Sequence, residues 1–390
     1  MTDWIPRIDS LLGELDKQLR GAARVVRSVF REGPLELLAY RGFGNARDAH
    51  FYGRALANRN VGPSSEGDSA FKNLFNTYRR VDSDALPFAQ LAVKFAGSSS
   101  LVKADDEGFF TGQVAVPGEA TFDTEWNEYE VELISPTTAG MPTPKAKGEI
   151  LVPPETARFG VISDLDDTVI QSRVSNFLQA ARTVMLGNAR TRLPFPGVAA
   201  FYHALHDGST GKEKNPIFYV SSSPWNIYDV ITEFMDLQKI PRGPVLLRDW
   251  DIGFGTLAAT RHFHHKGVAI RTIMQLYPAL PFILIGDSSQ HDPEIYQTIV
   301  SEFPDRVRAI YIRDVTSSAA RSAAIQRLAQ VLIASRTTLV LSEDTLGAAK
   351  HAAENGWISA EALPSVREEK RADEGSTDEK VPTPGGGEQQ

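Results

Sequence analysis

From residue 158 onward, short apolar runs that end in polar residues alternate with stretches of helical spacing. The apolar runs are RFGVISDL, NPIFYVSSS, PFILIGDS, VRAIYIRDV and TTLVLSED. The helical stretches lie near 197–207, 226–238, 267–277 and 292–303, and TLGAAKHAAENGW follows the last run. Strands that alternate with helices form βαβ units, and the strands of such units pair in parallel. The pattern therefore predicts an α/β fold built on a mostly parallel sheet.

The preceding region, from residue 34 to about 155, shows a different pattern of short strands and turns. The runs LELLAYRG, FAQLAVKFAG, GFFTGQVAVPG and YEVELISP alternate between apolar and polar residues. Turn signals separate them, namely DDEG at 105–108 and PTTAGMPTP at 136–144. Short strands punctuated in this way predict a β-rich, sandwich-like domain. The acidic turn has oxygen ligands for calcium, but a plain hairpin turn is the favoured interpretation.

The two ends of the chain have their own patterns. Residues 3–25 place seven large apolar residues on one helical stripe, which predicts an amphipathic helix. Its apolar face can pack on the next domain or rest on a membrane surface. The sequence after residue 366 is too polar to be buried and predicts disorder. The resulting domain prediction is 1–30 N-terminal amphipathic helix, 31–156 β-rich domain, 157–362 α/β domain and 363–390 disordered polar tail.

Composition excludes several classes of protein and site. The net charge of −8 argues against a nucleic-acid-binding protein, which usually carries a basic excess. The chain has no cysteine, so disulfides, thiolate nucleophiles and zinc–thiolate sites are excluded. The sequence shows neither an apolar run long enough to span a bilayer nor the pattern of a signal peptide. We therefore expect a cytoplasmic protein, peripheral to a membrane if it contacts one.

The first strand of the α/β region ends in Asp164-Leu165-Asp166-Asp167-Thr168. Asp164 and Asp166 fall just beyond the carboxyl edge of the predicted sheet, where open α/β folds place their ligands. One carboxylate is suited to attack phosphorus, and the second is suited to protonate the leaving oxygen. Both would lie close to one Mg²⁺, a hard cation that prefers oxygen ligands. A string of this length is only moderately specific by itself.

Three further elements follow at later strand or helix ends, in a fixed order. Ser221 ends the second strand, and its hydroxyl can donate to phosphoryl oxygens. Lys266 stands at the start of the predicted helix at 267–277, where its charge can neutralise phosphate. Asp287 and Asp292 follow the third strand and add carboxylates for a metal. Four carboxylates near one point would repel strongly without a cation, which favours a metal site over loop capping.

Together these four elements resemble the haloacid dehalogenase superfamily of phosphotransferases, over roughly residues 158–315. The resemblance implies that Asp164 is the nucleophile and a metal ligand, and that Asp166 is the general acid/base and binds the metal through its carbonyl. It also implies that Thr168 supports the loop, and that Ser221 and Lys266 hold the phosphoryl group. Asp287 would bind Mg²⁺, and Asp292 would support the site either as a further ligand or from behind the ligands. Dehalogenase members typically lack the second aspartate, so Asp166 favours phosphate chemistry.

A narrower resemblance extends over most of residues 35–360. The strings SDLDDTVIQS, YVSSSPWNIYD, LLRDWD and LIGDSSQHDPEIY look like the catalytic domain of the actin-patch-associated phosphatidate phosphatases and their bacterial relatives. This resemblance implies hydrolysis of phosphatidate to diacylglycerol at a membrane surface. A phosphatase of a soluble metabolite or phosphoprotein, and a non-catalytic lipid- or partner-binding module, are the alternatives. The long Pro-rich partner-binding tail of the fungal members is not found here, so the resemblance does not extend to a link with actin or SH3 partners.

The spacing of the motifs bears on access to the predicted site. Most of the chain between Thr168 and Lys266 is needed for βαβ crossovers, which leaves 175–195 for a small helical lip and predicts a minimal cap. This lip carries apolar residues beside Arg182, a combination suited either to an anionic bilayer or to packing on the sheet. We also assign Ser222 and Arg248 to substrate binding, although Arg248 can equally support the entrance.

Overall fold

The computed structural model describes residues 35–57, 84–118, 120–137, 142–166, 168–169, 195–248, 258–316 and 318–378. The predicted helix at 3–25 and residues 170–194, which include most of the predicted lip, lie outside the described residues. The chain divides into two compact units, each assembled from several segments. The first unit comprises 1–157, 222–232 and 243–279, and the second comprises 158–221, 233–242 and 280–390.

The described elements are fifteen strands and seven α-helices. The strands up to residue 151 are β1 (Leu35–Ala39), β2 (Gly42–Gly44), β3 (Asp48–Ala57), β4 (Asp84–Ala85), β5 (Gln90–Phe95), β6 (Ser98–Lys103), β7 (Phe109–Ala115), β8 (Trp126–Ser135) and β9 (Lys145–Leu151). The later elements are β10 (Gly160–Asp164), α1 (Val198–Asp207), β11 (Ile217–Pro224), α2 (Tyr228–Leu237), β12 (Val245–Arg248), α3 (Ala258–Leu276), β13 (Phe282–Asp287), α4 (Asp292–Glu302), β14 (Val307–Arg313), α5 (Ala319–Ile333), β15 (Thr338–Ser342), α6 (Thr345–Glu354) and α7 (Leu363–Asp378).

The first unit is built on one mostly antiparallel sheet of nine strands. Its path runs β1-β3-β2-β9-β8-β5-β6, and β4 and β7 each pair with β3. Alternation explains the strands, since β5 directs Leu91, Val93 and Phe95 into the core and leaves Gln90 and Lys94 exposed. The predicted β-rich region is therefore confirmed.

Two later segments of the chain pack on this sheet within the first unit. The rings of Tyr40 and Tyr228 stack with centroids 3.9 Å apart, and Trp225 stacks on Tyr52 at 5.3 Å. The Tyr277 hydroxyl at the end of α3 donates to the carbonyl of Gly44 over 2.9 Å. Aromatic pairs of this kind contribute about 0.5–1.5 kcal/mol each beyond their buried area. The β-rich sheet thus gains part of its packing from residues beyond 221.

The DDEG turn between β6 and β7 is closed by its own first residue. The Asp105 carboxylate accepts backbone hydrogen bonds from Glu107 (2.8 Å) and Phe109 (2.9 Å). Burial raises the pKa of Asp105 to about 6, and the two hydrogen bonds only partly oppose this effect. The plain turn therefore places a carboxylate where its charged form is poorly solvated.

We expect Asp105→Asn to stabilise the protein at pH 7 by about 1 kcal/mol, after allowance for solvent screening of a partly exposed group. The folded pKa lies above the unfolded value, so Asp105 contributes most stability below about pH 4, and that contribution is lost as pH rises to about 6. The asparagine oxygen accepts the same two backbone bonds without the charge. Urea unfolding at pH 4.5 and 7 checks this, with Asp106→Asn as the neighbouring control. Equal pH dependence of Asp105→Asn and wild type would contradict it.

The second unit contains five strands of a parallel sheet in the order β11-β10-β13-β14-β15. Every residue of β10 and of β13 is buried, as expected for strands covered on both faces. The register sets Asp164 beside Val220 and Asp287 beside Arg313 at the carboxyl ends of the strands. The predicted parallel sheet is confirmed, and it brings the polar strand ends to one edge.

Two sequence predictions about helices are wrong. Lys266 was expected at the start of a helix, but α3 begins at Ala258, so Lys266 lies near its middle. The predicted disordered tail from 363 is helical as far as Asp378. In this helix Val366 is fully buried, Lys370 pairs with Asp344, and the Glu369 carboxylate accepts from the backbone N–H of Ala200 over 2.6 Å. Tertiary contacts on one helical face outweigh the polar composition that suggested disorder.

The described helices include none that is both long enough and apolar enough to cross a bilayer.

Candidate active site

Three carboxylates converge at the edge of the parallel sheet in the second unit. Asp164 ends β10, Asp287 ends β13, and Asp292 begins α4. One oxygen atom from each lies within 4.8 Å of the others, and all three residues are buried. The expected meeting of these three residues is therefore observed.

A buried group of this kind needs positive charge nearby. Like-charged carboxylates in one buried site repel one another, so holding them together is costly unless a cation is bound. A hard divalent cation removes that cost and takes its ligands from carboxylate oxygens. The donor set of Asp164, Asp287 and Asp292 fits Mg²⁺ in its chemistry, and the chain has no thiolate that would favour a softer metal.

Asp166 lies beside this group but has different partners. Its carboxylate accepts a hydrogen bond from the Ser221 hydroxyl over 2.6 Å, and its backbone carbonyl accepts a long one of 3.4 Å from the Gln290 side chain. The Thr168 hydroxyl donates to Asp164 over 3.4 Å. The alternation around Leu165 thus gives the two residues separate environments. Asp164 lies in the cluster with Asp287 and Asp292, and Asp166 faces Ser221.

The loop that follows β13 is folded around its own carboxylates. Asp287 accepts bonds from the backbone N–H groups of Ser289 (2.6 Å) and Gln290 (3.1 Å), and the Asp292 carboxylate accepts from the N–H of Asp287 (3.2 Å). A side chain at Gly286 would come within 2.6 Å of an Asp292 oxygen. Glycine is therefore required there for Asp292 to approach the strand end.

A guanidinium from α5 holds this loop from outside. Arg321 donates to the carbonyl oxygens of Ser288 (2.9 Å) and Gln290 (2.6 Å), and it forms a two-point ion pair with Glu294 on α4. Such fork-shaped contacts fix geometry as well as charge. Arg321 thus joins the turn between Asp287 and Asp292 to two helices.

We expect Arg321→Gln to raise the Mg²⁺ concentration needed for half-maximal activity by about tenfold, because partners behind metal ligands typically contribute about 10–100-fold to metal affinity or activity. The loop would keep its ligands but lose the bonds that orient them. Mg²⁺ titration of the purified chain checks this, and Arg327→Gln, on an exposed position of the same helix, is the matched control. An unchanged Mg²⁺ requirement in Arg321→Gln would contradict the role.

The other predicted site residues are distributed as follows. Lys266 is buried on α3 and belongs to the first unit, as do Ser222 and Arg248 at the ends of β11 and β12. Their roles in phosphoryl and substrate binding stay predictions. Arg182 lies outside the described residues.

Sequence reasoning did not single out Asp314, Arg321 or the turn residues Ser288 and Gln290. The Asp314 carboxylate accepts from the hydroxyls of Ser322 (2.8 Å) and Ser288 (3.0 Å), and these bonds lower its pKa although burial acts in the opposite direction. Asp314 directly follows a parallel strand, and Asp164 and Asp287 are the last residues of theirs, so the strand-end rule could have identified Asp314. Arg321 had no such signal, because its contacts depend on how α5 crosses the loop.

Comparison with solved structures gives alignments of low similarity. A carbohydrate acetylesterase from Xanthomonas citri aligns over 89% of this chain and 76% of its own, with 13% identity and a TM-score of 0.26. A β-glucuronidase from Bifidobacterium dentium aligns over 89% of this chain and 58% of its own, with 8% identity and a TM-score of 0.24. At these scores neither similarity supports a conclusion about fold or function.

Comparison with curated sequences gives a clearer result. Phosphatidate phosphatase APP1 of Saccharomyces cerevisiae is 32% identical over 161 residues, which are 41% of this chain and 26% of the yeast protein. An uncharacterised protein of Schizosaccharomyces pombe is 26% identical over 223 residues, or 55% of this chain and 34% of that protein. The chain thus matches about a quarter to a third of the length of these relatives. Residues 159–314 match the family described as phosphatidate phosphatase APP1, catalytic domain, and this segment, which carries all four predicted motifs, is related to that catalytic domain.

Proposed function

We propose that the protein is a Mg²⁺-dependent phosphomonoesterase that forms an aspartyl-phosphate on Asp164 and converts phosphatidate to diacylglycerol and phosphate. The supporting observation is the buried group of Asp164, Asp287 and Asp292, with Asp166 beside it, inside the segment related to the APP1 catalytic domain. The same motifs and the parallel sheet support membership of the haloacid dehalogenase superfamily, with a minimal cap.

In the first step, a carboxylate oxygen of Asp164 attacks phosphorus, and the bond between phosphorus and the ester oxygen breaks. Asp166 gives a proton to that oxygen, so the alcohol leaves in neutral form. In the second step, a water oxygen attacks the phosphorus of the aspartyl-phosphate while Asp166 takes its proton. The Asp164 carboxylate is regenerated, and inorganic phosphate is released.

The positions of the two carboxylates support this division of labour. Asp164 is buried among acidic residues, where an attacking carboxylate is held in place. Asp166 is half-buried and bonded to the Ser221 hydroxyl, so it is held beside the group rather than within it. Bound Mg²⁺ would neutralise charge on the phosphoryl oxygens, and Asp164, Asp287 and Asp292 would hold it.

We expect Asp166→Asn to lower kcat by about 10²–10⁴-fold, because an amide cannot transfer the proton. The loss in kcat/KM should be smaller for esters with good leaving groups, such as p-nitrophenyl phosphate, since these need no proton in the first step. A comparison of kcat/KM for p-nitrophenyl phosphate and for an alkyl phosphate measures this difference, because kcat/KM reports formation of the aspartyl-phosphate, whereas kcat also includes its hydrolysis, which is the same step for both esters. A loss of equal size for both esters would argue against Asp166 as the acid.

Phosphate release from liposomal phosphatidate tests the proposed substrate. Glycerol 3-phosphate, sugar phosphates and phosphopeptides serve as soluble competitors, all measured with the full chain and Mg²⁺. We expect phosphatidate to have the highest kcat/KM. Faster turnover of a soluble ester with negligible turnover of phosphatidate would assign the site to a metabolite or phosphoprotein phosphatase. Lack of turnover of every ester, p-nitrophenyl phosphate included, would favour a non-catalytic binding module.

A further inference from the structure

The first unit contains a pocket of about 580 Å³ that the predicted chemistry does not use. It lies between β-rich segments and the later segments at 225, 246–247 and 265–272. Its walls are mostly apolar, and they include Phe109, Phe110, Trp225, Leu246, Leu247 and Ala269. The volume lies within the range of about 300–1,000 Å³ that is usual for small-molecule sites.

The size of the pocket helps to define its occupant. An apolar cavity of about 150 Å³ is enough to hold one benzene ring. The pocket is several times larger, so a single aromatic group would leave most of it unfilled. A long, flexible apolar chain would fill the space without requiring further polar partners.

The rim of the pocket is suited to an amphiphile. Phe88 and Val268 line the pocket and are unusually exposed for large apolar residues, at 39% and 44%. Lys103, which also lines the pocket, places its ammonium group 5.0 Å from the centre of the Phe88 ring. An apolar interior therefore continues to an apolar rim that carries the cationic Lys103, whereas the acidic Asp105 of the lining accepts hydrogen bonds from its own turn. This combination favours a molecule with an apolar chain and an anionic head.

We propose that this pocket binds a fatty acyl chain of an anionic lipid. The identification of that chain with part of the enzyme's own substrate rests on the proposed function. The sequence supports the link, because Trp225 is four residues beyond Ser221 and the pocket residue His265 directly precedes Lys266. The raised pKa of Asp105, which also lines the pocket, agrees with a poorly hydrated interior.

Quenching of Trp225 fluorescence by 12-bromododecanoate tests the pocket without any need for turnover. We expect saturable quenching in the full chain, loss of that component in Trp225→Phe, and displacement by unbrominated dodecanoate. Affinity should rise about fourfold for each added methylene group between C8 and C12. Lack of saturable Trp225 quenching, or equal affinity for all chain lengths, would overturn the proposal, as would tighter binding of naphthalene than of dodecanoate.

A pocket-filling variant provides the specificity test. Thr272 lines the pocket on α3, and its hydroxyl bonds only within the helix, to the Val268 carbonyl, among the hydrogen bonds resolved here. Thr272→Phe should weaken binding of the brominated probe by at least about tenfold. Gln275→Phe, at an exposed position on the same helix, should leave binding unchanged. Thermal unfolding would verify that both variants are folded. Equal binding of the probe by wild type and Thr272→Phe would then contradict the location of the acyl-binding pocket.

An activity measurement separates failure of the pocket from failure of the proposed function. Thr272→Phe should lower kcat/KM for long-chain phosphatidate in mixed micelles while turnover of p-nitrophenyl phosphate stays at the wild-type rate. If phosphatidate is hydrolysed and the variant has no effect, the pocket proposal is wrong and the phosphatase stands. If the probe binds and no phosphate ester is hydrolysed, the acyl site stands and the proposed function is wrong.

Discussion

Asp164→Asn should reduce phosphatase turnover by at least about 10⁴-fold, the order of loss seen when a covalent nucleophile is removed. An amide oxygen is too weak a nucleophile to displace an alkoxide from phosphorus, and the change also removes one of three charges from the carboxylate group. The measurement is phosphate release under saturating Mg²⁺. The exposed Asp207→Asn at the end of α1 is the matched control and should retain wild-type turnover.

Chemical trapping of the covalent intermediate provides a second test of the same hypothesis. During turnover, borohydride should reduce the aspartyl-phosphate at residue 164 to homoserine, which peptide mass spectrometry can locate. The modification should be missing from Asp164→Asn and enriched in Asp166→Asn if hydrolysis of the intermediate becomes slow. Wild-type turnover by Asp164→Asn, or reduction at another residue, would show that the covalent mechanism is wrong.

Removal of divalent cations should lower activity by at least about 10³-fold, since a metal ion can contribute several kcal/mol to transition-state stabilisation. Mg²⁺ should restore the activity. Ca²⁺ should not, because its looser coordination allows both oxygens of Asp164 to bind the ion and so prevents attack. The measurement is phosphate release after dialysis against chelator, followed by addition of each ion.

Thermal unfolding provides a readout that does not depend on catalysis. An ion that binds the folded chain but not the unfolded chain raises Tm increasingly as its concentration exceeds its Kd, so Mg²⁺ should stabilise the wild type. Asp287→Asn should show a smaller Mg²⁺-dependent increase, because one buried ligand has lost its charge. Full activity in excess chelator, together with a Tm that does not respond to Mg²⁺, would contradict a metal site at these three carboxylates.

The predictions that succeeded depended on local periodicity and on one rule of sheet geometry. Apolar runs such as PFILIGDS predict a strand whose residues are buried on both faces of the sheet. The carboxyl ends of parallel strands share one edge, so Asp164 and Asp287 could be brought together without knowledge of any other contact. Each strand and the residue at its end are identified from neighbouring residues alone, and the sheet rule then brings the strand ends together.

The features that were missed depend on contacts between distant residues. Helical spacing indicated a helix only near 267–277, with Lys266 at its start, whereas α3 begins at Ala258 and continues through those residues. The polar helix α7 is stabilised where Val366 is buried and Lys370 meets Asp344, which composition alone does not reveal. Likewise, the role of Arg321 arises from carbonyl oxygens more than thirty residues away in the chain.

The segmented make-up of the two units has a consequence for the modularity of the chain. The region related to the APP1 catalytic domain, 159–314, does not coincide with either compact unit, because its segments 222–232 and 243–279 belong to the first unit together with the β-rich sheet. It also ends before Arg321, which holds the turn between Asp287 and Asp292. A chimera that transplants only 159–314 into another protein would carry the acidic residues without the scaffolding that orients them. The part of the chain that is needed to form the site is therefore larger than the segment over which the sequences match.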